Sequence, residues 1–210
     1  AGREADLYGS RQANQRYISS SRYVQLIFQS SGTYAIPITL ANAQGDGSTL
    51  YAASGVYVTN TAQVVMGPNA YSRWRPDGVI THAGGIVVQS PYRSDMAVIF
   101  NGNNVISAVP VAFGNNLFFD NGVLRLAVAN NKYASLKCYA KTIYTDVPFA
   151  LDPGANVTFG VGYSANASLD LNGNDQIMNR PEIGNWSSGS SYILTSSSRP
   201  ATLACRGTGN

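Results

Sequence analysis

Apolar residues along this chain recur in short runs and never with the 3.6-residue spacing of a helix. The runs fall at residues 23–29, 34–40, 56–59, 62–66, 85–89, 96–100, 105–112, 117–119, 123–128, 134–144, 147–151 and 157–163. Each is rich in β-branched or aromatic residues, and each is bounded by Gly, Pro, Asn, Asp or Ser, the pattern of short strands closed by turns. A final strand is expected over 201–205. Strands at this spacing predict one antiparallel β-sandwich or jelly roll built from residues 22–210. No internal repeat of fixed period is found, which argues against a propeller or a β-helix.

Turn chemistry points the same way. Asp120-Asn121-Gly122 lies between two apolar runs, and Asn-Gly takes the two positive φ angles of a tight hairpin. Asn101-Gly102 and Asn172-Gly173 repeat the device, and Gly45-Asp46-Gly47 and Pro76-Asp77-Gly78 are further turns. Two stretches depart from the pattern. Residues 1–21 are polar and carry Arg3, Arg11 and Arg16, which reads as an N-terminal arm. Residues 177–200 are rich in Ser, Gly and Asn around Trp186, which reads as an exposed excursion.

Composition narrows the function. Apolar residues make up 44% of the 210, enough for a sizeable core, while charged residues make up only 12%, about half the usual ~25%. The net charge is +3 and the basic residues are scattered, so direct binding of nucleic-acid phosphates is not expected. No apolar stretch approaches the ~18 residues of a membrane-spanning helix. The chain opens at Ala1 without Met, which favours removal of an export leader. Cys138 shares a strand face with Leu136 and Ala140, and Cys205 shares one with Ala201 and Leu203. Both are expected to point inward and to join in a disulfide, which implies an oxidising compartment: the cell exterior, the cell surface or a virion.

Catalytic groups are scarce. The one histidine, His82, sits before Ala83-Gly84 and reads as a turn or edge residue. No Gly-x-Ser-x-Gly elbow accompanies it. Glutamates number two, Glu4 and Glu182, and most aspartates stand in turn contexts, so the paired carboxylates of a glycosidase are not evident. The chain reads as non-enzymatic, with no cofactor. One stretch, Asp170-Leu171-Asn172-Gly173-Asn174-Asp175, places oxygen ligands at alternate positions, as a calcium loop does. Its glycine falls at the wrong position for an EF-hand. An Asn-Gly turn is the plainer reading, with a looser calcium site on Asp170, Asn172, Asn174 and Asp175 beside it.

Surface contact is therefore the expected mode of action. Tyr71-Ser72-Arg73-Trp74-Arg75 sets a Trp between two arginines before a turn, the residue types enriched at binding hot spots. Tyr71, Arg73, Trp74, Arg75 and, more weakly, Trp186 are the candidate contacts for a glycan or receptor. Asn156, Asn166 and Asn185 stand in glycosylation sequons that matter in a host that uses them. Three functions follow. The first is a subunit that assembles with copies of itself into a pilus-like extracellular filament, its arm adding a strand to a neighbour's sheet edge. The second is a jelly-roll capsid or virion surface protein. The third is an adhesin or carbohydrate-binding module working through the Arg-Trp-Arg loop.

Overall fold

The structure is a computed structural model that describes residues 7–8, 17–19, 25–41, 49–66, 72–74, 76–88, 96–113, 116–160, 166–184 and 190–207. Every described element is a strand. The strands carry the alternation expected of them: Val79–His82, Ser135–Cys138 and Asn156–Phe159 each bury every second residue, so one side of each strand faces a core. Their partners are not hairpin neighbours. With one exception they pair in parallel, each with the strand one turn before or after it along the chain, and the described strands form a β-solenoid of about six turns.

Three sides make up a turn. On the first, Val58, Ile80, Asn104, Leu124, Ile143, Leu169 and Ile193 stack in one register column. On the second, Trp74, Phe100, Phe119, Cys138, Phe159 and Ile183 form another column. On the third, Ile38–Ala41, Val64–Met66 and Ile86–Val88 pair in sequence, and single bridges at Ala112 and Lys132 carry the side onward. Gln176–Met178 and Leu203–Cys205 form a last parallel pair. The inward columns make a continuous apolar interior, with Phe28, Trp74, Phe100 and Phe119 among its largest fully buried side chains. Burying each such ring contributes about 2–3 kcal/mol.

The antiparallel sandwich or jelly roll is thus corrected to a parallel solenoid. Strand alternation has the same period of two in both folds, so it does not tell them apart. The repeat escapes detection because its length varies. Along the first column the step from Leu124 to Ile143 is much shorter than the next one, from Ile143 to Leu169. Among the described pairings one is antiparallel, Leu7–Tyr8 with Gln25–Phe28. Tyr17–Ser19 pairs in parallel with Ile38–Ala41. Leu7–Tyr8 and Tyr17–Ser19 lie within the segment expected to be an arm, and the rest of residues 1–21 is outside the described residues.

The expected hairpin at Asn121-Gly122 is also corrected. Met96–Ile106 and Asn116–Leu126 run unbroken through two sides of the solenoid and bend at the corner. Gly102 and Gly122 sit at that bend with φ of +89° and +94°, a region L side chains rarely enter. They also touch. A Cβ on Gly122 would stand 2.4 Å from the Gly102 Cα, so the two turns approach more closely than any side chain permits. Replacing Gly122 by Ala is expected to lower the unfolding free energy by about 3 kcal/mol, combining φ strain with backbone collision. Asn121→Ala, which at an exposed position removes one hydrogen bond from the Gly122 amide, should lower it by no more than ~1 kcal/mol. Denaturant titration of both variants checks this, and equal stabilities would refute the corner assignment.

Candidate functional site

Of the residues singled out for surface binding, Trp74 is the one whose side chain is described, and it is not at the surface. Trp74 ends a short strand, and its ring lies inside the solenoid with no exposed area. It tilts over the His82 ring at 4.9 Å and meets Phe100 edge-on at 5.3 Å. Its position in the inward column, in register with Phe100, requires this. Arg73 pairs through its backbone with Ile99. The Arg73 side chain, Tyr71, Arg75, Trp186 and Asn185 lie outside the described residues. His82 is no turn or edge residue: it is a buried strand position.

The calcium reading meets a different arrangement. Asn172 and Gly173 take φ of 47° and 72°, a tight corner as the Asn-Gly pair anticipates. Three of the four candidate side chains have an oxygen engaged by protein donors. Asp170 Oδ1 accepts from the amides of Asn172 at 2.8 Å and Ser196 at 2.9 Å. Asn174 Oδ1 accepts from Arg199 at 3.0 Å, and Asp175 Oδ1 from the Thr202 amide at 2.7 Å. The Asn172 Nδ2 donates to Asp146, whose carboxylate also takes two 2.7 Å hydrogen bonds from Arg125. Burial alone would raise the Asp170 pKa. Hydrogen bonds from Ser196 and Asn172 and the charge of Arg125 outweigh it and hold the carboxyl below its ordinary 3.8. Among the described residues no group of three or more His, Cys, Asp or Glu is placed to hold a metal ion.

A set of buried amides, not singled out in the sequence, links the turns instead. Asn131 Oδ1 accepts from Val111 N in the turn before it, and its Nδ2 donates to Val128 O and to Ala150 O in the turn after. Gln176 accepts from Leu151 N and donates to Val147 O. Asn174 Nδ2 donates to Thr145 O and Asn172 O. Asp152 accepts from the Tyr133 amide, while its own amide donates to the Tyr133 hydroxyl. Corners leave backbone groups without ladder partners, and a buried group left unpaired costs ~1–3 kcal/mol. These side chains supply the missing partners. In a chain so rich in Asn, nothing distinguishes Asn131 from its surface counterparts.

The sequons differ in setting. Asn156 Nδ2 donates to Glu182, and its Oδ1 accepts from Asn179, both at 2.7 Å. Asn166 is exposed and accepts from the Ser190 amide.

The cysteines are not joined. Cys138 is a buried free thiol and Cys205 an exposed one. Cys138 points inward as expected. Cys205 continues the inward column of Met178, yet it is open to solvent because no described turn covers it.

That last point holds for the whole final turn. Ile183 and Ile193 end the two long inward columns, at 73% and 39% exposure, and Tyr192 and Leu194 beside them are exposed as well. An open cleft of about 350 Å³ lies between Pro181–Ile183 and Tyr192–Leu194, floored by Phe159. In the earlier described turns these column positions are covered by the turn that follows. This apolar end, bordered by strand edges, is the candidate functional site.

Two expectations follow. Asn131→Leu should destabilise the fold by about 3 kcal/mol in denaturant titration, because three backbone groups lose their partner together; a loss below ~1 kcal/mol would remove the amide from this role. Burial pushes the Cys138 thiol up to about 12, which keeps it protonated and unreactive. A thiol reagent at neutral pH is therefore expected to label Cys205 rapidly in the native chain and Cys138 only after unfolding, as mass spectrometry of the labelled peptides would report. No protein-family model, curated protein or solved structure matches this chain.

Proposed function

We propose that this protein is a non-enzymatic structural subunit that associates with copies of itself, end to end, in an extracellular assembly. The observation that carries the reading is the final described turn. There the column residues Ile183 and Ile193 stand exposed, beside strand edges that have no partner among the described residues. Strand edges recruit other strands, and a contiguous apolar patch marks a contact surface. Another solenoid end offers both a matching outline and apolar columns to continue. The contact thus moves from an N-terminal arm to the end of the stack. The scarcity of catalytic groups supports the non-enzymatic part. The single histidine is buried, and Asp146, Asp152, Asp170 and Glu182 are held by neighbouring donors. An adhesin working through Trp74 has less support, since that ring offers no surface.

Light scattering coupled to size exclusion tests the reading. The protein is expected to form oligomers whose mass grows with concentration, and Ile183→Arg with Ile193→Arg is expected to yield a monomer with an unchanged circular dichroism spectrum. A native chain that stays monomeric at millimolar concentration would end the proposal.

A further inference from the structure

The aromatic layer inside the solenoid contains one group that does not belong to an apolar core. His82 is 1% exposed and lies against Trp74 at 4.9 Å and Phe100 at 6.0 Å between ring centroids. Its Nε2 lies 3.1 Å from Asn104 Oδ1. An amide oxygen only accepts, so the imidazole proton sits on Nε2 and Nδ1 is a bare lone pair. Among the described residues Nδ1 has no hydrogen-bond partner, and neither has Asn104 Nδ2. Among the described side chains, the neighbouring strands bring no charge to the ring. Tyr57–Asn60 brings Asn60 into register with His82, and the Asn60 amide is turned to Ala62. Met96–Ile106 brings Phe100, Asn104 and Ile106, and Ser72–Trp74 brings Trp74. None of these side chains is titratable.

A second proton on this ring would therefore create a buried cation. Its new N–H at Nδ1 would have no acceptor among the described residues, and no carboxylate among these neighbours would balance its charge. Burying an unpaired charge costs far more than the one bond to Asn104 returns. We infer that His82 is an acid-sensitive lock: protonation at Nδ1 expels the ring from its place against Trp74 and Phe100 and loosens the turns that meet there. The node joins three successive turns through Asn60, His82 and Asn104, so its release acts on the stack and not on one strand. Unlike self-association, this inference depends only on the interior of a single chain.

The direction of the effect follows from linkage. Burial lowers the His82 pKa from an ordinary 6.5 to about 4, and the Asn104 contact offsets only part of that. The unfolded chain then binds the proton first. The stability held by neutral His82 is complete above pH 6.5, falls as the pH drops from there towards 4, and is fully lost below 4. Asp170 titrates below 3.8, outside this window.

Because the chain has one histidine, imidazole NMR signals report this residue without assignment. The native ring is expected to stay neutral, in the Nε2–H form, down to about pH 5. Denaturant titration should show the unfolding equilibrium constant rising roughly tenfold per pH unit within the window. His82→Phe, which fills the layer, and His82→Gln, which keeps a donor towards Asn104, are expected to lose that slope. A native imidazole that titrates near 6.5 would overturn the inference from the unmodified protein alone, whether or not the variants fold. The same slope in a folded variant would overturn it independently. Monomer or oligomer, the NMR titration reads the same group, so failure of the assembly proposal leaves this result intact.

Discussion

Everything in this fold depends on the parallel hydrogen-bonded ladder between one turn and the next. Its spacing of ~4.8 Å is set by backbone geometry. Once that spacing is imposed, a side chain in an inward column must rest on whatever occupies the same register position one turn away. Trp74 on Phe100, Phe100 on Phe119 and Phe159 beside Cys138 follow from this. The interior is filled column by column, not by two sheets facing each other, and stability accumulates through contacts between neighbouring turns.

The same constraint creates the demands at the corners. Where the chain changes direction the ladder breaks or, as at Gly102 and Gly122, shifts register and bends, and the backbone groups there need other partners or unusual angles. Gly102 and Gly122 answer with positive φ and direct backbone contact. Asn131, Asn174 and Gln176 answer with side-chain amides that mimic the missing peptide groups, each able to donate and accept at once. The polar interior atoms are therefore mostly corner pieces. His82 and Asn104 stand apart because they belong to strands, in the apolar interior, with atoms left unmatched among the described residues.

Much of this was legible in the residues. The strand content, the period of two and the inward face of Cys138 were all readable, since each is a local property of the chain. The topology was not. A strand between two turns looks the same whether the next strand returns beside it or passes above it. Unequal turns, such as Leu124 to Ile143 against Ile143 to Leu169, hid the repeat. Asn121-Gly122 misled because a glycine that fits a hairpin also fits a corner. Trp74 misled because an aromatic flanked by arginines resembles a surface anchor, while its burial is decided by Phe100, a full turn further on. The open end was invisible for the same reason: Ile183 and Ile193 look like core residues, and their exposure depends on what stacks against them.

The unequal turn lengths have a mechanical corollary. The short turn that ends at Ile143 and the long one that ends at Leu169 advance the axis by the same single rung, because the ladder alone fixes the rise. Extra residues go sideways, into corners and loops. The molecule's length therefore counts turns rather than amino acids, and a corner insertion would leave the distance between the two ends unchanged. This chain is built as a ruler graduated in rungs, whose markings stay put while its outline is free to vary.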